Sequence, residues 1–171
     1  MNEINKEEYA PFYSGYIENA LNSGLSLLDL LKENKTNTLN FFKQIPRAKY
    51  LYQYAEKKWT VLELLQHLID AERVFAYRAL RFSREDKTPL PGFEENDYVE
   101  NSRANQRDME SLINEFQTVR DASISLFTSF NENDFAKIGL ASGSNMSVRA
   151  VGFIISGHSI HHIKIIQERY L

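Results

Sequence analysis

Thr60-Val-Leu-Glu-Leu-Leu-Gln-His-Leu-Ile-Asp-Ala-Glu-Arg-Val-Phe75 is the stretch that decides the fold. Thr60 and Glu63 have the spacing of a capping box, in which a hydroxyl and a carboxylate satisfy orphan N–H groups at a helix start. Leu64, Leu68, Ala71, Val74, Phe75 and Arg78 then recur at helical spacing, which predicts a helix running to about Phe82. Its apolar side includes His67.

Working outward, three more stripes of the same period appear. Ser26 with Asp29 resembles an N-cap with an acidic third residue. Leu27, Leu28, Leu31, Leu39, Phe42 and Ile45 follow, ending before Pro46. That stripe is thin in its middle, where Asn34–Asn37 are polar. A further helix is expected from about Asn105 to Phe130, with Met109, Leu112, Ile113, Phe116, Val119, Leu126 and Phe127 on one side. Ser147 can cap a last helix continuing almost to Leu171. Ahead of all four, Tyr9–Tyr16 is aromatic and broken by Pro11 and Gly15, an irregular arm leading into a short helix around Ile17–Asn22. Ser83–Asn101 carries Pro89, Pro91 and Gly92 and reads as a long loop able to cover a pocket. Asn131–Met146 reads as another loop. No strand alternation is sustained, so the fold class is all-α, a four-helix bundle in one domain over residues 1–171.

Bulk properties narrow the function classes. The 171 residues, 43% hydrophobic and 25% charged, suffice for a core without metal or disulfides as staples. Cysteine is absent, which removes thiolate metal sites and a cysteine nucleophile, and suits the cytoplasm. Glu3, Glu7, Glu8, Glu18 and Asp29 lie in the first thirty residues, so no signal peptide is expected. No apolar run is long enough to span a bilayer. A net charge of −3 with both signs interspersed offers no face for nucleic acid.

Three of the four histidines fall within Gly157-His-Ser-Ile-His-His-Ile163. At about 100° per residue, His158 and His162 lie about 40° apart, one turn from each other, on the side that carries Val151, Ile155 and Ile165. His161 lies about 60° to the other side of His158. Two imidazoles at that spacing on one face are a standard presentation of nitrogen ligands to a metal. His67 is the third candidate. It stands about 10 Å along its helix, and either a parallel or an antiparallel pairing brings it level with His158 and His162. A buried histidine is commonly just a hydrogen-bonded core residue, but three on inward stripes each need partners for a donor and an acceptor. Three neutral ligands would leave a tetrahedral metal one open position, which is the catalytic arrangement. Glu63 and Asp70 are local candidates to orient His67, although capping explains the first and exposure the second. Trp59 reads as a staple for its helix. Arg73, Arg78, Arg81 and Arg84 could collect an anionic thiol cofactor, with a solvated face as the plainer reading, and Lys57-Lys58 needs no function.

At these residues the sequence resembles the DinB/YfiT-like family of metal-dependent enzymes. The likeness covers nearly the whole chain: Trp59–His67, Asp70–Arg78, the Leu90-Pro-Gly-Phe93 loop and Gly157–His162. It implies a four-helix up-and-down bundle with zinc, nickel or a similar divalent ion on His67, His158 and His162. His161 matches a neighbouring histidine that is not normally a ligand. It also implies a small-molecule substrate, a low-molecular-weight thiol as a possible co-substrate, and a homodimer. Relatives include thiol-dependent S-transferases, isomerases and hydrolases. A non-catalytic metal-binding stress-response protein, acting through partner contacts, is the alternative.

Overall fold

Capping residues set where the long helices begin. Thr60 Oγ1 accepts from the Glu63 amide at 3.1 Å while Glu63 Oε2 accepts from the Thr60 amide at 2.8 Å, closing the capping box. Ser26, Asp108 and Ser147 accept from the amides of Asp29, Ser111 and Ala150 in the same way. The computed structural model describes residues 4–171, so Glu3 lies outside it. Its helices are α1 (Ser14–Leu21), α2 (Leu27–Gln44), α3 (Val61–Ser83), α4 (Glu95–Ser102), α5 (Met109–Thr128), α6 (Glu132–Phe135) and α7 (Val148–Arg169). Strands β1 (Ile138–Ala141) and β2 (Ser144–Ser147) form an antiparallel hairpin between α6 and α7.

The expected four-helix bundle is built from α2, α3, α5 and α7. Side-chain partners give the directions. Tyr170, just past α7, reaches the backbone of Trp59 ahead of α3, and Lys137, ahead of α7, reaches Ser83 at the end of α3. Helices α3 and α7 are therefore antiparallel. Gln66 meets Arg107, Arg73 meets Glu115 and Glu72 meets Arg120, so α3 and α5 run parallel. The long connection through α4 returns the chain to the starting end and permits this. A Cβ at Gly152 would touch Leu27, and Asn34 bonds Ser156 O, so α2 runs parallel to α7.

Four local expectations are corrected. The first helix starts at Ser14, after a turn of 3-10 helix at Pro11–Tyr13, since Gly15 costs little that early in a helix. Ser83–Asn101 is not loop throughout, because α4 occupies Glu95–Ser102. The helix expected from Asn105 begins at Met109, where Asp108 supplies the cap that Asn105 does not. Asn105 instead bonds Thr60 and Glu63 at the start of α3. The stretch Asn131–Met146 holds α6 and the hairpin. Its two-residue turn has positive φ at Ser142 (52°) and Gly143 (76°), a primed turn that matches the strand twist. Four-residue strands are too short to display an alternation.

Apolar packing falls into two clusters. One gathers Leu27, Leu31, Phe75, Phe127 and Phe153; the other gathers Phe42, Leu65, Leu112, Phe116 and Ile166. Between them runs a buried polar layer, and its centre is Arg120, fully buried on α5. Its Nε donates to Glu72 Oε1 of α3 at 2.7 Å, and Nη1 donates to Asn34 Oδ1 of α2 at 2.6 Å. Nη2 donates to Ser159 Oγ of α7 at 3.2 Å. One guanidinium thus bonds the other three bundle helices. Removing it strands a buried carboxylate, so Arg120→Ala should destabilise the fold by about 3–5 kcal/mol in denaturant titration. The double change Arg120→Met with Glu72→Leu should recover part of that loss, because no unpaired charge remains.

Candidate metal centre

The polar layer also contains the three inward histidines. Antiparallel pairing of α3 and α7 places His67 opposite the His158–His162 pair. His67, His158 and His162 are 3%, 5% and 8% exposed. His67 Nε2 lies 2.9 Å from His158 Nε2, and His162 Nε2 lies 3.0 Å from the same atom. Ligand atoms of all three lie within 4.8 Å of one another. A neutral imidazole nitrogen carries either one proton or one lone pair. Ordinary hydrogen bonding therefore does not give His158 Nε2 a good bond to both neighbours. A cation does, since three nitrogens about 2.0–2.1 Å from one ion sit about 3.3 Å apart. The donor set is also chemically apt: all nitrogen, neutral and buried.

Burial governs the charge state. It pushes His67 down to about 4 and His162 down to about 3, and it holds His158 well below the ordinary imidazole range. For His162 and His158 the neighbouring histidines add to the effect. All three are neutral near pH 7, the form in which a lone pair is free to coordinate. His162 Nδ1 is buried with no hydrogen-bond partner among the described residues, so those residues do not hold that ring's tautomer.

His161 stays outside the trio, as its angle on the helix predicts. It is half-buried, with its ring 5.1 Å from that of Tyr16. Tyr16 also packs edge-on against His158 at 5.3 Å. This approach depends on Gly157, where a Cβ would fall 1.9 Å from Tyr16 O. No side chain is compatible with backbone that close. Trp59 lies against the ring of His67 at 4.7 Å, so it braces the site as well as its helix.

Other expectations resolve differently. Glu63 is committed to the cap and to Asn105. Asp70 is not exposed: it is half-buried, accepts from Gln66 at 3.0 Å, and has its carboxyl raised chiefly by burial. Neither bonds His67. Arg73 pairs with Glu115 and Arg81 with Asp86, whereas Arg78 is buried and bonds Pro91 O and Ser142. The arginines therefore do not form one anion-collecting face. Arg120, Glu72 and Asn34 were the functional-layer residues that sequence reasoning missed. Their signal was a polar residue at a stripe position: Asn34 three after Leu31, Glu72 four after Leu68, Arg120 four after Phe116.

The family model of the DinB superfamily matches residues 30–166. The chain belongs to the DinB superfamily. YfiT from Bacillus subtilis, "a probable metal-dependent hydrolase with an unusual four-helix bundle topology", shares the fold at a TM-score of 0.74 and 15% identity. The match covers 97% of this chain and 90% of YfiT. A mycothiol-dependent maleylpyruvate isomerase is similar at a TM-score of 0.67 and 14% identity, over 82% of this chain and 61% of that one. No curated protein sequence matches. At these identities the two structures share this superfamily member's fold, and their activities belong to them.

The lowered histidines have a consequence for stability. Their folded-state values lie below the unfolded value near 6.5, so below that pH the unfolded chain binds more protons. Their contribution is complete above about pH 6.5 and is lost as pH falls toward 3–4. Metal-stripped protein should lose about 1.5 kcal/mol for each of His67 and His162 between pH 6.5 and 5, before most carboxylates titrate. Thermal melts across that window check it, and a flat midpoint would exclude buried neutral imidazoles.

Proposed function

We propose that this protein holds one divalent metal ion on His67, His158 and His162. We further propose that it acts as a metal-dependent enzyme of the thiol S-transferase or hydrolase type, on a small-molecule substrate in the cytoplasm. The observation that carries this reading is the convergence of three buried Nε2 atoms on one point where hydrogen bonds alone leave a nitrogen unmatched. Three nitrogen donors suit zinc or nickel. When bound, such an ion supplies Lewis acidity toward a water or a thiol.

The chain's own residues prepare that chemistry. Burial keeps the three rings uncharged. Trp59 and Tyr16 pack on His67 and His158 and restrict their rotation. Arg120 fixes the height of α7 at Ser159, beside His158. A cleft of about 220 Å³ leads from the surface to His162. A site reached in this way favours catalysis over a non-catalytic metal-binding stress-response role, which requires no access. Hydrolysis is kept because YfiT is described as a probable metal-dependent hydrolase, and thiol chemistry because the other similar fold is described as a mycothiol-dependent isomerase.

Metal analysis of purified variants tests the ligand set. His67→Ala, His158→Ala and His162→Ala should each lose most of the metal, and His161→Ala should keep it. Loss in His161→Ala with retention in His162→Ala would reverse the pairing.

Metal removal separates function from scaffolding. Each buried Leu, Ile, Val or Phe of the two clusters contributes about 1.5–3 kcal/mol before entropy is subtracted, so the core does not depend on the ion. Chelation should leave helical circular dichroism nearly unchanged, lower the melting point by mass action, and abolish activity until metal is restored. On cobalt-substituted protein, a cognate small thiol should perturb the visible spectrum if the enzyme is a transferase. A hydrolase should turn over esters or amides with no thiol present. Collapse of the helical signal on chelation would make the site structural.

A further inference from the structure

The cleft that opens on His162 has charge of one sign. Lys57 and Lys58 line it, and among the described residues no aspartate or glutamate does. Neither ammonium has an ion-pair partner among the described residues. Both sit on a tight turn closed by Lys58 N donating to Ala55 O at 3.2 Å. Lys57 holds a left-handed backbone (φ 60°), which a residue with a Cβ adopts only against steric resistance.

Asn96 adds one neutral polar group, and apart from His162 the remaining walls are aromatic or aliphatic. Trp59, Tyr54 and Tyr170 line the cleft, with Leu64 and Ile165 beneath. Tyr170 adds no negative charge. Its hydroxyl donates to Trp59 O at 2.7 Å, and burial pushes its pKa up to about 12. At about 220 Å³ the space is smaller than the roughly 300–1,000 Å³ that drug-sized ligands occupy, so it suits one ring with a short substituent. Other cations approach the walls from outside, Arg169 over the Tyr54 ring at 5.3 Å and Lys49 bonded to Tyr170 O at 2.6 Å, whereas Lys57 and Lys58 line the cleft itself.

We propose that the cleft is a subsite for a small organic anion, a flat apolar body ending in a carboxylate. Lys57 and Lys58 hold the carboxylate, the body stacks against Trp59, and the opposite end faces His162. Its role as a substrate subsite rests on the metal-enzyme reading above; the recognition of an anion does not.

Trp59 is the sole tryptophan in the sequence and lines the cleft, so its fluorescence reports occupancy. Benzoate and benzamide, which differ in charge but hardly in shape, are titrated at low ionic strength. The proteins are metal-loaded wild type and the double variant Lys57→Asn, Lys58→Gln. Asparagine is used at 57 because it tolerates a left-handed backbone. Wild type should bind benzoate about fivefold more tightly than benzamide, with the preference shrinking in high salt. The double variant should bind the two alike while keeping its metal content and helical signal. Equal binding by wild type, a preference that survives in the double variant, or binding of neither probe would overturn the proposal. A preference that survives would place the carboxylate on the metal. Metal content measured after loading tests the metal reading separately: wild type that takes up no metal yet shows a lysine-dependent preference would defeat that reading and leave the anion subsite standing.

Discussion

A charged guanidinium in the middle of a helical bundle is costly unless its donors are met, and Arg120 meets that constraint with all three other bundle helices at once. Glu72 supplies the opposite charge, Asn34 and Ser159 the remaining acceptors. Such a pair contributes little net stability compared with an apolar replacement, yet breaking it is costly. Its effect is on register. Sliding any one helix by a turn would leave a buried polar group unmatched, so the four helices are held at one mutual height. The histidines occupy that same layer, and Ser159 lies directly beside His158 in sequence.

Two apolar clusters, one on each side of this layer, separate the duties of scaffold and site. The clusters exclude water and hold the chain together. The layer between them then carries groups that are poor contributors to folding but useful in chemistry. Exclusion of water is also what lowers the histidines, because a buried imidazolium would lose its hydration. Neutral rings, with Trp59 packed on His67 and Tyr16 on His158, each keep one nitrogen lone pair able to coordinate. Helix α1 takes part only because Gly157 lets its backbone at Tyr16 lie directly against α7.

Several features were legible from residue order, each for a local reason. Capping at Thr60, Ser26 and Ser147 depends on atoms within three residues, so the helix starts were visible. The facing of His158 and His162 depends only on helical pitch, and so does the exclusion of His161. Other features were hidden because they depend on partners far along the chain. The thin middle of the α2 stripe reads as weakness until Arg120 arrives from 86 residues away to bond Asn34. Asn105 looks like a helix start but serves the cap of α3. The lysines at 57 and 58 read as ordinary surface charge, since nothing in their neighbourhood reveals that a cleft opens beside them.

The sequence by itself determined the helical class, the stripes, the caps and the identity of the inward histidines, because these follow from spacing along a single helix. Tertiary structure alone decided that α3 and α7 are antiparallel, which of the two allowed pairings brings His67 to His158, and where the site opens. Periodicity records which face of a helix is buried and carries no information about the direction of the helix packed against it. That direction is set by the long connection through α4 and by the bonds of Arg120, which exist only once all four helices have met.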